Sequence, residues 1–153
     1  MKILQVSDGS TKSRYADRVL RDLPDWFGIE EALQDYVAGV ADLPFWAAMV
    51  GEECVGFVAV KIHHGHTGDL YVLGIMKDYQ GQGIGRKLLD SADAFFVEQG
   101  CKYVIVETLD ESARSEPYDK TRQFYLKAGF EPLVTLPELW DEHNPCLIMI
   151  KQL

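Results

Sequence analysis

Three glycines at alternate positions, Gly81, Gly83 and Gly85, stand between an apolar run and an amphipathic one. No other stretch constrains the fold as tightly. Leu70–Met76 reads as a strand, part of a longer extended segment from Asp69, and Ile84 to Gln99 reads as a helix with Ile84, Leu88, Ala92, Phe95 and Phe96 as its apolar stripe. Glycine admits positive φ and lets another group approach the backbone closely. A helix start carries unpaired N–H groups and a partial positive charge. A glycine-rich turn feeding a helix is therefore suited to an anion, most often phosphate. The bland alternative is a glycine-rich connection that binds nothing.

Two familiar nucleotide loops fail on spacing. The dinucleotide pattern G-x-G-x-x-G needs a third glycine where Arg86 or Leu88 stands. The pattern G-x-x-x-x-G-K-S/T fails because Gly85 is followed by Arg86-Lys87 and then leucine. What remains is Q-x-x-G-x-G, carried by Gln80, Gly83 and Gly85 behind a strand.

The rest of the chain reads as alternating short elements. Lys2–Val6 is a strand, and Thr11–Arg21 is a helix with Tyr15, Val19 and Leu20 on its apolar side. Leu23–Ile29 is a break containing Pro24, Trp26, Phe27 and Gly28. Trp26 and Phe27 either cap the core between two helices or line a cleft. Glu30–Ala38 is a helix; Phe45–Val50 and Cys54–Ile62 form a hairpin around Gly51-Glu52-Glu53. The second of these strands is apolar on both faces, which calls for a sheet covered on both sides. Tyr103–Leu109 is a β-branched strand, so strand, turn, helix and strand make one right-handed crossover. Asp110–Pro117 reads as a charged loop, Tyr118–Ala128 as a helix stopped by Gly129, Leu133–Leu136 as a strand, then a loop with Trp140, and Cys146–Lys151 as the closing strand.

At 153 residues with 47% hydrophobic content the chain is read as a single domain over residues 1–153 with a real core. A net charge of −9 argues against nucleic acid and is compatible with a cationic partner. No apolar run reaches the ~20 residues of a membrane helix, and the N-terminus turns polar too soon for a signal peptide. Cys54, Cys101 and Cys146 are dispersed and odd in number, as reduced core cysteines of a cytoplasmic protein are. His63, His64 and His66 invite a metal reading, but only Asp69 lies near ligand spacing; they are read as a solvated turn and no metal is expected.

A second motif completes the pattern. Thr121-Arg122-Gln123-Phe124-Tyr125-Leu126-Lys127-Ala128-Gly129-Phe130 carries Phe-Tyr and Gly-Phe at a spacing similar to A-x-x-F-Y-x-x-x-G-F of the GNAT family of N-acetyltransferases. The Q-x-x-G-x-G turn resembles that family's coenzyme A pyrophosphate loop. The interval between the motifs, about forty residues holding one helix and one strand, also matches, and together they cover roughly Asp69–Phe130. The resemblance implies a mixed α/β (α+β), mostly antiparallel sheet flanked by helices in the order β-α-α-β-β-β-α-β-α-β-β. The chain departs from the family in three places. Tyr71 and Lys77 stand where many members have Glu and Pro, and Tyr118 stands where many have an Asn that touches the pantetheine arm.

The activity so implied is transfer of an acetyl group from acetyl-CoA, as cosubstrate, to a primary amine by direct attack in a ternary complex; the alternative is a non-catalytic acyl-CoA-binding or interaction domain. Amide N–H groups along Gly81, Gln82, Gly83, Ile84, Gly85, Arg86 and Lys87 would hold pyrophosphate, with Gln80 and Arg86 side chains adding donors. Gly74, Ile75 and Met76 would pair with pantetheine as an added strand, Tyr118 would contact the same arm, and the N–H near Ile75 would polarise the thioester. The family's late-helix tyrosine, here Tyr125, donates to the leaving sulfur. The amine must also lose a proton, since at pKa about 10.4 roughly 0.1% or less is neutral at pH 7. Asp69, Glu107 or water held by Tyr71 are the bases available. Trp26, Phe27, Tyr71 and Trp140 would meet the acceptor, which polyamine, aminoglycoside-like drug, amino acid and protein lysine all satisfy at this level. No nucleic acid and no membrane enter this reading, and a homodimer is allowed by it.

Overall fold

The computed structural model describes Met1–Leu153. Its elements are β1 (Lys2–Gln5), α1 (Gly9–Arg21), α2 (Glu30–Gly39), β2 (Phe45–Val50), β3 (Glu53–His63), β4 (Thr67–Ile75), α3 (Ile84–Glu98), β5 (Tyr103–Leu109), α4 (Glu116–Lys127), β6 (Glu131–Asp141) and β7 (Asn144–Gln152). This is the expected element order. One seven-stranded sheet runs β1-β2-β3-β4-β5-β7-β6, antiparallel at every pairing except β4 with β5.

Both faces of the sheet are covered, as the doubly apolar β3 requires. Val58 and Val60 join Leu88, Ala92, Phe96 and Tyr125 in a core under α3 and α4. Phe57 and Ala59 join Val19, Leu20 and Leu33 in a second core under α1 and α2. Two bulges adjust the sheet. Val55 is the unpaired residue opposite the Ala48–Met49 step. Tyr71 is the unpaired residue of β4, because Ala59 faces Val72 while Val60 faces Leu70. A bulge bends its strand and re-aims a side chain, and Tyr71 is the side chain so aimed.

Three sequence expectations need correction. Trp140 lies in a strand, not a loop: β6 runs unbroken in the sheet past Pro132 and Pro137, with irregular register at Pro132–Val134 and Leu136–Asp141. β6 is an edge strand, where a proline's missing N–H need not cost a ladder bond. The late helix begins at Glu116, with Pro117 in its first turn where proline suits a helix. The loop before it contains a short helical turn, Glu111–Ala113, whose start is fixed by Asp110 accepting from Ser112 N at 3.1 Å. Finally, His63 belongs to β3, and the turn is His64–His66, with His64 (φ 54°) and Gly65 (φ 71°) as its central residues. Positive φ at both central residues matches the twist of a tight hairpin.

Candidate active site

β4 and β5 pair over only three residues each, Thr67–Asp69 against Tyr103–Ile105. Beyond that point the strands diverge. α3 and α4 stand over the gap on one side and the α1–α2 connection on the other. The resulting cleft has a volume of about 820 Å³ and is lined along its length by Leu70–Ile75 of β4 and Val106–Thr108 of β5. A parallel pair split in this way leaves one strand edge without partners. Met76 N–H donates to Val55 O at 2.8 Å. Backbone groups alternate sides along a strand, so Gly74 also faces β3, while Leu73 and Ile75 present their amides to the gap. Of Gly74, Ile75 and Met76, only Ile75 therefore offers a free N–H to the cleft. Gly74 serves packing instead: a Cβ there would sit 3.2 Å from Val19 and 3.3 Å from Leu23.

At one end of the cleft is the glycine turn. Gly81 (φ 77°) and Gly83 (φ 82°) take left-handed conformations, and a Cβ at either would meet nothing within 4 Å. The space in front of them is open. Gly83 caps α3 without a side-chain hydrogen bond. The first bond of the helix is Lys87 N to Gly83 O, so the N–H groups of Ile84, Gly85 and Arg86 have no acceptor in the chain. Gly85 has a different reason: a Cβ there would lie 2.9 Å from Ile75 and 3.0 Å from Phe124. Its absence lets α3 start tight against α4. Gln80 donates from its side-chain amide to Ile75 O at 2.9 Å and so fastens the turn to the end of β4. Arg86, Lys120 and Lys127 bring positive charge to the wall of the cleft, all from α3 and α4. In a chain of net charge −9 that concentration of cations fits a phosphate-bearing group.

Tyr125 lines the cleft from α4, packed edge-on against Phe124 and Phe130. Burial, with Tyr118 nearby, holds its phenol well above the ordinary tyrosine range, so the hydroxyl keeps its proton at neutral pH. α4 is tied across the mouth to the α1–α2 connection: Trp26 Nε1 donates to Thr121 Oγ1 at 3.0 Å, and the Tyr118 hydroxyl donates to Trp26 O at 3.2 Å. Trp26 thus both caps this junction and lines the cleft, joining the two readings that the sequence left open.

The other end of the cleft is aromatic with one carboxylate. Phe27 meets Tyr36 edge-to-face at 5.7 Å, and Tyr36 meets Tyr71 at 5.3 Å. Burial, followed by Tyr71, pushes the Tyr36 phenol up to about 12. Glu107 points into this end from β5. Its carboxyl is pushed above the usual range by burial and by the nearby Asp69 carboxylate, against a smaller opposing effect of the Trp140 indole N–H. Asp69 itself is held by His63 Nε2 at 2.7 Å, and Lys61 lies 4.1 Å from the Tyr71 ring centre.

Of the residues singled out from sequence, Tyr125, Glu107, Gly74, Ile75, Gln80, Gly81, Gly83, Ile84, Gly85, Arg86, Tyr118, Trp26, Phe27, Tyr71 and Trp140 all line this one cleft. Met76, Gln82, Lys87 and Asp69 do not. Met76 spends its N–H on β3; Gln82 donates to Asp78 O at 3.2 Å; Lys87 points outward from the first turn of α3; Asp69 is engaged by His63. Further lining residues carried no sequence signal for this role, among them Lys120, Tyr36, Thr121 and Thr108. Tyr36 and Lys120 fall inside helix readings, Thr108 inside the Tyr103–Leu109 strand and Thr121 inside the late motif, with nothing to single them out. Thr108 is 2% exposed and its Oγ1 has no partner.

With this geometry in view, the likeness to known proteins is specific. The family model described as an acetyltransferase (GNAT) domain matches residues 41–132, and the chain belongs to that family. An N-acetyltransferase of Methanocaldococcus jannaschii, itself uncharacterised, is 24% identical over 109 residues, 71% of this chain. The chain spans 65% of that relative's length. Among solved structures, a GNAT-family protein from Desulfovibrio desulfuricans superposes with a TM-score of 0.85 at 19% identity, covering 99% of this chain and 98% of the other. An aminoglycoside 6'-N-acetyltransferase complexed with coenzyme A superposes with a TM-score of 0.79 at 18% identity, covering 99% and 97%. These two likenesses establish the GNAT fold.

Proposed function

We propose that residues 1–153 form one N-acetyltransferase domain that moves an acetyl group from acetyl-CoA to a primary amine by direct attack in a ternary complex. The observation that carries this reading is the split between β4 and β5, with an unpaired helix start and Tyr125 both lining the cleft it opens. Acetyl-CoA supplies the thioester carbonyl that the amine attacks. Gly81–Arg86 N–H groups, with Arg86, Lys120 and Lys127, hold its pyrophosphate. The open edge of β4 at Leu73 and Ile75 pairs with its extended arm, and Ile75 N–H stabilises negative charge at the carbonyl oxygen. Glu107 takes a proton from the ammonium, directly or through water at Tyr71. Tyr125 gives its proton to the departing sulfur, whose thiolate is otherwise a leaving group of pKa about 8.5.

The aminoglycoside enzyme's coenzyme A complex and the fit of the cleft support the cosubstrate. The three buried free thiols support a reducing compartment such as the cytoplasm. The deciding experiment measures thiol release from acetyl-CoA with a panel of amines and identifies the product by mass. Amine-dependent release with a product heavier by one acetyl group is expected. Acetyl-CoA binding without transfer to any amine would favour the non-catalytic acyl-CoA-binding alternative.

A further inference from the structure

Resting on that reading of the cleft, we infer that the acceptor amine belongs to a polypeptide, a basic and apolar segment of which lies on the open sheet face of β5, β7 and β6. Both faces of the sheet are covered at β3, but the cover under α1 and α2 stops short of this end. The strand residues of that core come from β2, β3 and β4 only.

The strand register shows what this face carries. Ile105 of β5 stands opposite Ile150 of β7, which stands opposite Glu131 of β6. One row along, Glu107 stands opposite Ile148, and Ile148 opposite Val134. The intervening Val104, Val106 and Met149 belong to the core under α3 and α4. Side chains alternate along a strand, so Ile105, Ile148 and Ile150 point away from that core. They are half-buried, and Val134 is 42% exposed. None of the four belongs to either core. A sheet face left to water alternates apolar-in with polar-out, yet here the outward positions are isoleucine and valine. Such a patch marks a surface that a partner covers.

Position and charge decide the occupant. Glu107 ends one row of the patch and also lines the cleft, so an acceptor with its amine at Glu107 leads directly onto the patch. The far rim at Glu131 lies two strands away from β5, at ~4.8 Å for each strand spacing. Only an extended acceptor uses the whole face. β6 adds Glu138 and Asp141, both exposed like Glu107 and Glu131. The one lysine or arginine in these three strands, Lys151, is bound to Asp93 of α3, on the opposite face. A second copy of the chain would bring the same carboxylates to the contact, at a net charge of −9, and like charges across an interface oppose association. A basic segment with apolar side chains matches the isoleucines and the carboxylates together.

The test uses the wild-type chain and two surface variants. The first acceptor is a short N-acetylated peptide with one lysine among alternating arginine and valine. The others are the same peptide with serine for valine, the same with glutamate for arginine, and Nα-acetyl-lysine methylamide, which offers the amine without a body. The expected kcat/KM for the first peptide is at least about 10-fold above the other three. Glu131→Lys and Ile148→Ser are each expected to lower it about 10-fold, and to leave the lysine derivative's rate and acetyl-CoA affinity by calorimetry unchanged. Glu131 is exposed, so its variant alters the surface without touching a core. Equal rates on all four acceptors, or peptide rates indifferent to both variants, overturn the proposal and leave acetyl transfer standing. Binding of the labelled first peptide is followed by fluorescence anisotropy with coenzyme A present. Binding that both variants weaken supports the docking face even if nothing is acetylated, in which case it is the transferase reading that fails. Sedimentation as a dimer that Ile148→Ser separates makes a second copy the occupant and overturns the proposal.

Discussion

Tyr125 is one of the few residues whose packing and chemistry can be separated by a single atom. Its ring fills the core between Phe124 and Phe130, and the residue also lines the cleft. Tyr125→Phe keeps the ring and removes only the proton donor. Loss of a general acid costs about 10²–10⁴-fold in rate, so the single-turnover rate should fall by that amount while acetyl-CoA affinity stays near wild type, the mark of an interaction made mainly in the transition state. A Phe variant with an unchanged single-turnover rate would leave Tyr125 as a core residue only. Glu107 makes a pH prediction. Burial and Asp69 raise its pKa above the ordinary 4.5, and a base works only as the carboxylate. Activity should therefore rise with pH through a midpoint above the usual glutamate range. The Glu107→Gln profile should lose that limb and keep only the one set by the amine's own ionisation; if both profiles coincide, Glu107 is not the base.

At the scale of elements, the three glycines of the turn divide into two kinds. Gly81 and Gly83 face open space with positive φ, and Gly85 is wedged between Ile75 and Phe124. Gly83→Glu places a like charge where pyrophosphate is proposed to bind, so calorimetry should show acetyl-CoA binding abolished in a chain that still folds. Unchanged affinity there would remove the turn from the site. Gly85→Ala should act on the fold instead, lowering stability by about 1–3 kcal/mol as overpacking does, measurable by denaturant unfolding. The sequence patterns marked this turn and the Phe124-Tyr125 helix clearly, because turns and helix faces are local and their residues sit at fixed spacings. The β6 strand was not legible as one element. Pro132 and Pro137 read as breaks, and only the strand's place at the sheet edge makes them harmless. The bulge at Tyr71 left no trace either, since the extra residue exists only relative to β3.

For the whole molecule, stability against alkali follows from what the core encloses. Burial pushes the Cys54 thiol up to about 11 and the Cys146 thiol up to about 12, from an ordinary 9.0. The folded chain therefore holds two protons that the unfolded chain has released over pH 9 to 11. Stability rises with pH only where the unfolded state binds more protons; here it binds fewer, so stability must fall. Each group contributes about 1.4 kcal/mol per pH unit within that window. The melting temperature should be level up to pH 9 and fall beyond it, and Cys54→Ala with Cys146→Ala should shallow the decline. A double variant with the same slope as wild type would place the loss in other groups, such as Tyr36 and Tyr125.

By itself the sequence determined the element order, the glycine turn with its helix start, the late-helix tyrosine and the double apolar covering of β3. Each of these is written in residues close together in the chain, where spacing alone sets which face or turn a side chain joins. What only the tertiary structure decided is which groups share the cleft and which are already spent. Tyr36, Thr108, Thr121 and Trp140 reach it from four separate elements, while His63 holds one oxygen of Asp69 and Val55 takes the Met76 amide. The physical reason is that a backbone N–H within a sheet serves one acceptor. Whether Ile75 N–H is free or Met76 N–H is bound depends on the register between strands and on where β4 leaves β5, and both are fixed by contacts between residues far apart in the chain.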